Sequence, residues 1–365
     1  MSNTVIGPDA RCEMSDALLD ALTVVDRFGT QATRLEREGV TRAEVDELAK
    51  ANVLTAGVDD RWTGAQVREI HERLAAASGA LWFVMAQHRS PAVAAALTEN
   101  RVLRERYASR LASGELLGAV SFAHLRRARP TVVAQRHGDA WRVDGRLDWI
   151  TSWGLADILL LMAETDDGQV VQFLLPTKPR EGLVVTGALS LAAMEGTSTV
   201  GAVIEGMRVT DDEVAAVLPK AKWLAEDAKR TANVPSAVVG LARAALSELA
   251  AEGEARAWPE AIDVAEAWRR DFVEQRAQAY ALIDEVDPSQ SINERLRLRA
   301  SLTRLANESA SLLITVQAGR AMLTSSNAQR WAREAMFALV QGQTPASRNA
   351  LIDAYRRLAT GATGA

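Results

Sequence analysis

Cysteine and long apolar runs are both scarce in this chain of 365 residues. Its single cysteine, Cys12, excludes an intramolecular disulfide bond and suits a reducing compartment. No run approaches the ~18 consecutive apolar residues that a membrane-spanning helix needs, and the first residues have no apolar core of signal-peptide length. We therefore expect a cytoplasmic protein that has no membrane partner.

Several classes of site also lack their signatures. The net charge of −5 and the pI near 5.6 argue against a nucleic-acid partner. His71 and His137 have no acids or cysteines at ligand spacing, so we expect no metal site. The glycine-rich loops that bind dinucleotides or phosphates are missing, and so is the Gly-x-Ser-x-Gly elbow of hydrolases.

The pattern of the sequence changes twice along the chain. Helical spacing of apolar residues dominates up to about residue 115 and again from about 221, where a long apolar helix is predicted over 292–318. Between them, turn residues separate short β-rich runs: 117–122, 131–134, 141–149, 158–163, 170–175, 183–186 and 200–209. This predicts an α+β protein in three parts: an N-terminal helical domain (1–115), a middle β-barrel or sandwich domain (116–220) and a C-terminal helical bundle (221–365).

The third β-rich run carries the most information. Its residues alternate with period 2, which is typical of a strand that has one buried face. The predicted buried face contains Trp141, Val143, Leu147, Trp149 and Thr151. Gly145 interrupts the alternation and indicates a bulge or turn.

The order of residues from 139 to 163 resembles the middle-domain signature of the acyl-CoA dehydrogenase superfamily. The shared features are a strand, Asp-Gly, a second strand, Trp-Ile-Thr, a small polar residue, Gly, and Ala-Asp before an apolar strand. Segments 102–115, 194–210 and 333–344 resemble further parts of the same family. The resemblance implies an acyl-CoA dehydrogenase-like fold that binds FAD and a small-molecule or acyl-thioester substrate.

The resemblance also implies which residues bind the cofactor. The Trp-Ile-Thr segment of the family packs on the flavin ring, and the backbone around its threonine contacts the reactive edge of the ring. Carried over, the cofactor-binding residues are Phe122, Ala123, His124, Arg126, Trp149, Ile150, Thr151, Ser152 and Thr344. In relatives a neighbouring subunit helps to hold FAD, so we expect a homodimer or homotetramer in which the 292–318 helix packs between subunits.

The chain departs from the family at the catalytic base. The family's glutamate corresponds to Gln341, and a carboxamide cannot act as a general base near neutral pH. The alternative position of the base, on the first helix after the β-domain, corresponds to Arg230, which is no base either. Glu226 and Asp227 lie about one turn earlier and could compensate, but we expect both to point outward.

A second departure lies on the first strand that faces the flavin. The family's Thr-Glu-Pro and Gly-Ser-Asp are replaced by the segment 121–130, in which His124 follows the pair that contacts the ring. His124 is a catalytic candidate by its position, although a lone histidine is more often structural. Arg126, Arg127 and Arg129 would suit phosphate pairing or form a solvated basic loop. His88 is either a residue of the substrate cavity or a core histidine.

Two functions remain open at this point. The first is an active flavoenzyme, either a monooxygenase that needs no glutamate base or an atypical desaturase. The second is a non-catalytic subunit of a hetero-oligomeric acyl-CoA dehydrogenase. The retained Trp149-Ile-Thr151 segment favours the first function, and Gln341 fits the second.

Overall fold

A computed structural model describes residues 5–360, which form twelve α-helices and eight β-strands. The helices are α1 (Asp16–Arg27), α2 (Ala32–Glu38), α3 (Arg42–Lys50), α4 (Gly64–Ala77), α5 (Gly79–Leu97), α6 (Arg101–Ala112), α7 (Lys220–Ala232), α8 (Ser236–Ala255), α9 (Pro259–Glu285), α10 (Ile292–Gln317), α11 (Asn327–Ala338) and α12 (Pro345–Thr360). The strands are β1 (Gly118–Ser121), β2 (Val132–His137), β3 (Ala140–Ile150), β4 (Ile158–Glu164), β5 (Gln169–Pro176), β6 (Leu183–Ala188), β7 (Val200–Thr210) and β8 (Val214–Pro219).

The predicted elements of the strand region are present in order. All seven predicted strands form, and the long helix predicted over 292–318 is α10. The sequence analysis missed β8. Its connection to β7, Asp211–Glu213, is a short 3-10 helix without the glycine that marked the predicted turns after β2, β4 and β5.

The eight strands form one mixed sheet. Its order is β6-β7-β3-β2-β4-β5-β8, and β1 lies parallel to the first half of β4. All seven residues of β4 are buried, as expected for a strand in the interior of a sheet. The sheet forms in the region of the chain for which the sequence predicted a β-barrel or sandwich.

The pairing of β3 with β7 is irregular at two places: at Gly145 the extra residue lies on β7, and near the end of the strand it lies on β3. The pairing shifts between Val143 and Gly145, where Gly145 has φ +144°, and again between Leu147 and Ile150. The second shift corrects the predicted buried face, because an extra residue reverses the side to which the following side chains point. Ile150 is buried, and Trp149 is 53 % exposed.

The chain divides into two compact units. The helical unit contains residues 5–33, 64–79 and 227–360, and the sheet unit contains 34–63 and 80–226. The helix-to-strand change after Ala112 and the strand-to-helix change after Pro219 lie near the predicted boundaries at 115 and 220. The three-part division itself stays a prediction.

The helical unit is built around α8, α9 and α10. Buried apolar side chains from these helices include Val239, Leu246, Phe272, Leu302 and Leu313. The leucine face of α10 packs in this core, which accounts for its apolar pattern without a second subunit. The stretch Lys220–Ala255 is long and apolar enough to span a membrane by length and composition, but 61 % of its most apolar window is buried in the structure. Core packing accounts for this apolar character too.

A buried ionic network connects α4, α8 and α9. Glu69 and Glu72 accept hydrogen bonds from Arg243 and Arg276, and Tyr280 donates to Glu72 at 2.6 Å. No member is more than 8 % exposed. Two carboxylates and two guanidiniums balance in charge, which is the condition under which buried ions are tolerated.

The core of the sheet unit includes side chains of α5, α6, β4 and β5, among them Leu103, Leu160 and Leu174. Strand β1 lies close against α5. A Cβ atom on Gly118 would lie 2.7 Å from the ring of Pro91, so only glycine permits this approach.

Candidate functional site

The segment after β3 contains the strongest sequence signal. Ile150, Thr151 and Ser152 are buried, whereas Trp149 exposes half of its surface. Ser152 adopts a left-handed conformation with φ +68°, so the chain turns sharply where the strand ends. An exposed indole at the end of β3 offers a flat apolar surface for a ligand.

A second segment, residues 194–199, lies against the first. The Ser152 N–H donates to the Thr197 carbonyl at 2.9 Å, and the Trp153 N–H donates to the Ser198 carbonyl at 3.0 Å. Met194 and Ser198 also have left-handed backbones, with φ of +61° and +50°. Each such residue costs of order 1–3 kcal/mol, and strain of this kind is concentrated at functional sites.

Buried hydroxyl groups connect the two segments. Thr199 Oγ1 lies 3.2 Å from Thr151 Oγ1 and 2.8 Å from Thr197 Oγ1, and Thr197 Oγ1 donates to the Met194 carbonyl at 2.7 Å. Among the described residues, the buried Ser152 hydroxyl has no hydrogen-bond partner. The sequence analysis missed Thr197 and Thr199, because the contact between them depends on the 3-10 turn Glu195–Thr197 and the left-handed backbone of Ser198, which their spacing does not reveal.

The end of β1 joins this region. Ser121 Oγ donates to the carbonyl of Trp149 at 3.3 Å, which holds the ends of β1 and β3 together. The chain then enters a short 3-10 helix, Ala123–Arg126. Phe122 before it is half-buried, and Ala123 is exposed.

His124 is buried and structurally engaged. Its Nε2 atom donates to the carbonyl of Met162 on β4 at 2.8 Å. Burial lowers the pKa of His124 to about 4, against the opposing effect of that hydrogen bond. The ring is therefore neutral at physiological pH, and its Nε2 proton is used inside the sheet unit.

The basic loop is partly paired. Arg126 lies over the ring of Phe122, 5.4 Å from its centroid, and Arg127 forms an ion pair with Asp148. Arg129 is exposed. These contacts occupy two of the three arginines predicted as phosphate ligands or as a solvated loop.

His88 is a core histidine. Its Nε2 atom donates to the Leu111 carbonyl at 2.9 Å, and its Nδ1 atom accepts from the Gly118 N–H at 3.1 Å. The side chain is fully buried, and burial lowers its pKa to about 4. Both ring nitrogens are used, so His88 has no free nitrogen for a substrate.

Gln341 lies just beyond the end of α11. Its backbone carbonyl and that of Gly342 each accept from Arg299 Nη2 at 3.2 Å. The same buried guanidinium donates through Nη1 to the Thr231 carbonyl at 2.7 Å, at the end of α7. Arg299 therefore contacts the backbone at both predicted positions of a base, the one at Gln341 and the one on α7.

The two carboxylates on α7 differ in burial. Glu226 is exposed, as expected, but the expectation that Asp227 points outward is wrong, because it is only 3 % exposed. Asp227 lies four residues from both Trp223 and Thr231, which are buried on the same face of the helix. Its carboxylate accepts from Arg230 at 2.5 Å.

Thr344 caps α12. Its N–H donates to Ser347 Oγ at 2.8 Å, and its Oγ1 accepts from the Ser347 N–H at 3.2 Å. This reciprocal pair satisfies the first amides of the helix. The hydroxyl predicted to bind cofactor thus serves a helix end in this structure.

The candidates form two groups. Phe122, His124, Arg126 and the 149–152 segment belong to the sheet unit, and Asp227, Gln341 and Thr344 belong to the helical unit. Among residues 5–360, no group of three or more His, Cys, Asp or Glu side chains could hold a metal ion.

Comparison with known proteins gives a clear result for the fold. No protein-family model and no curated protein sequence matches the chain. Among solved structures, butyryl-CoA dehydrogenase from Megasphaera elsdenii matches with a TM-score of 0.74 and 16 % identity, over 95 % of this chain and 100 % of that one.

Two further structures match over nearly the full chain. A glutaryl-CoA dehydrogenase from Mycobacterium smegmatis in complex with FADH2 has a TM-score of 0.76 and 16 % identity, covering 96 % of each chain. Dibenzothiophene monooxygenase from Paenibacillus sp. A11-2 has a TM-score of 0.73 and 20 % identity, over 93 % of this chain and 96 % of that one. The expected architecture is confirmed, and the chain has the fold of acyl-CoA dehydrogenases.

Proposed function

We propose that the protein is a flavin-dependent oxidoreductase that binds one FAD per subunit, with the 149–152 segment against the flavin ring. The observation that carries this proposal is the geometry of that segment on this fold. One of the matched structures, the glutaryl-CoA dehydrogenase, holds FADH2.

The residues of the segment suit a planar polar ligand. Trp149 exposes an apolar face, and the buried Ser152 hydroxyl lacks a partner among the described residues. Next to them, Gly154 is exposed and has open space where a side chain would stand. A bound ring would cover the exposed indole of Trp149.

The reaction we propose is directed at oxygen or a heteroatom rather than at desaturation of ordinary acyl-CoA substrates. Bound FAD would supply the electron-accepting chemistry, or the reaction of its reduced form with oxygen. Desaturation also needs a positioned base, and Gln341 is a carboxamide. Glu226 is exposed, and the Asp227 carboxylate is occupied by an ion pair with Arg230.

The substrate we propose is a small molecule or an acyl thioester. Dibenzothiophene monooxygenase, a match at 20 % identity, is an oxygenase on this fold. Its existence supports oxygenation as a reaction that the architecture accommodates.

A second candidate function is a non-catalytic subunit of a hetero-oligomeric acyl-CoA dehydrogenase. The observation that favours it is Gln341 in the place of the family's base. Colour separates the two functions: a purified protein with a flavin absorbance band supports the first, and a colourless protein that binds a paralogue supports the second.

We propose a cytoplasmic homodimer or homotetramer. Because the leucine face of α10 is buried in its own helical unit, subunit contacts would use other surfaces. Met336 and Val340 are 46 % and 67 % exposed, one turn apart at the end of α11, and are suitable candidates. Sedimentation that shows a monomer at micromolar concentration would contradict this assembly.

The experiment that tests the reaction is a panel of saturated acyl-CoAs with an artificial electron acceptor. Absence of a positioned base removes ~10²–10⁴ in rate, so we expect the natural protein to be inactive on this panel. Gln341→Glu restores a carboxylate at the family's position, and Gln290→Glu adds the same charge at an exposed site as a control.

Activity only in Gln341→Glu would support the proposed loss of the base. Robust activity of the natural protein would show that another base acts and would overturn the oxygen-directed proposal. Absence of bound FAD in all three proteins would overturn the flavoenzyme itself.

A further inference from the structure

The helical unit has an open groove over α10. Helix α10 packs against both α9 and α12, and side chains of all three helices line the groove, which has a volume of about 780 Å³. Its lining includes Trp268 of α9, Arg304, Glu308 and Leu312 of α10, and Tyr355 and Leu358 of α12. All of them belong to the helical unit. Helix α10 therefore forms the floor, and α9 and α12 form the two walls.

The floor of the groove carries no unbalanced charge. Arg304 donates to Glu308 at 2.5 Å, so these two charges compensate each other. Asn307 donates to the Ala335 carbonyl at 3.0 Å. Because these polar groups have partners within the chain, a ligand need not supply a charge at the floor.

The α12 wall is basic and apolar. At 100° per residue, Arg348, Ile352 and Tyr355 share one side of the helix, which is turned away from the buried Ala354. Ile352 and Tyr355 are 64 % and 41 % exposed. Arg348 is exposed and forms no ion pair within residues 5–360. An exposed apolar stripe with a polar rim is typical of an interaction surface.

The α9 wall is acidic. Between residues 260 and 274 the exposed acids are Glu260, Asp263, Glu266, Asp271 and Glu274, and the exposed base is Arg270. Asp271 lies one turn after Trp268, on the side turned away from the buried Phe272. In the part of the chain that the structure describes, Asp271 also forms no ion pair. The two walls thus carry opposite charges that the chain itself does not pair.

We propose that this groove receives α12 of a second copy of the chain in a two-fold dimer. The contact is reciprocal, so the basic and apolar wall of each copy lies against the acidic wall of the other. Charge complementarity selects this occupant, because one surface supplies both the bases and the acids that a self-complementary contact needs. The inference rests on the homo-oligomer of the proposed function and identifies one of its surfaces.

Charge reversal on either wall tests the contact. Arg348→Glu and Asp271→Arg each place like charges at both symmetric contacts, and neither breaks an ion pair of the described chain. We expect each to raise the dissociation constant of the dimer roughly ten- to hundred-fold. The measurement is sedimentation velocity over a range of protein concentrations at low salt, where exposed charges are least screened.

An equimolar mixture of the two variants is the sharpest measurement. In a mixed dimer both contacts again pair opposite charges, so the mixture should associate about as tightly as the natural protein. If both variants dissociate and the mixture does not associate, the reciprocal packing is overturned.

Matched controls lie on the same two helices. Arg357→Glu changes an exposed arginine on the opposite side of α12 from Arg348, and Glu266→Arg changes an exposed acid on the far side of α9 from Asp271. Both carry the same charge changes as the test variants and should associate like the natural protein.

Ile352→Ser tests the apolar part of the contact. We expect the dissociation constant to rise roughly ten-fold, because an apolar side chain is lost at two symmetric contacts. Leu97→Ser, at the end of α5, removes a side chain that is 77 % exposed and should leave association unchanged.

The results separate this surface from the rest of the proposed function. If the natural protein associates and the variants at 271, 348 and 352 associate equally well, the groove is not the dimer surface, while the homo-oligomer stands. If the natural protein is a monomer at micromolar concentration, or associates only with a different polypeptide, the homo-oligomer and this inference are both overturned. Flavin absorbance of the same samples tests the proposed FAD binding independently.

Discussion

The two buried histidines predict how the stability of the protein depends on pH. Burial lowers the pKa of both His88 and His124 from the ordinary 6.5 to about 4. Each ring is neutral, and its Nε2 atom donates to a backbone carbonyl. Protonation of His88 would also turn its Nδ1 atom from an acceptor into a donor that faces the Gly118 N–H.

The sign follows from counting protons. Between pH 6.5 and about 4 the unfolded chain protonates each histidine and the folded chain does not, so the unfolded state binds more protons and stability falls as the pH is lowered. A difference of about 2.5 pKa units corresponds to about 3 kcal/mol for each histidine. This stability is fully present above pH 6.5 and is lost by about pH 4.

The assay is urea unfolding at pH 7 and pH 4.5 for the natural protein and for His124→Gln. Glutamine can still donate to the Met162 carbonyl but does not titrate. We expect the natural protein to lose about 2–3 kcal/mol more than the variant between these two pH values, because the variant lacks the imidazole that the unfolded chain protonates in this range. His137→Gln, at the exposed end of β2, should lose as much as the natural protein. Equal losses for His124→Gln and the natural protein would refute the reasoning.

Two further predictions concern packing and charge. Glu72→Ala leaves two buried guanidiniums facing one carboxylate, so urea unfolding should show that the free energy of unfolding falls by about 3–5 kcal/mol. Glu105→Ala, in an exposed pair, should lower it by about 0.5 kcal/mol or less, and similar losses for the two variants would contradict the stabilising role of the network. Gly118→Ala places a Cβ atom 2.7 Å from Pro91 and should cost about 1–3 kcal/mol, whereas Gly187→Ala meets no atom within 4 Å and should be near neutral in the same assay.

Much of the fold follows from local sequence patterns. Alternation with period 2 and turn residues located seven of the strands, because both signals act within a few residues. The exposure of Trp149 did not follow. It depends on a shift in pairing with β7, whose residues lie about fifty positions away in the sequence, and no local periodicity reports it.

The site was predictable only in part, for the same reason. The Trp149–Ser152 segment carries a recognisable order of residues. The contacts among the hydroxyls of Thr151, Thr197 and Thr199 depend on the approach of Met194 and its neighbours through left-handed backbones, which sequence spacing does not reveal. The burial of Asp227 was missed because a charged residue is ordinarily placed on the wet face of a helix, and its pairing with Arg230 overrides that rule.

The two open functions make different demands on the strained segments. Ser152, Met194 and Ser198 each hold a left-handed backbone at a cost of order 1–3 kcal/mol, a large part of the 5–15 kcal/mol that stabilises a typical domain. A subunit that only completes a partner's site gains nothing from this geometry in its own sheet unit. An enzyme that must hold the 149–152 segment against a flavin has a use for it, because the left-handed turns bring the 149–152 and 194–199 segments together. The cost of these turns therefore favours the flavoenzyme, even though Gln341 has removed the usual base.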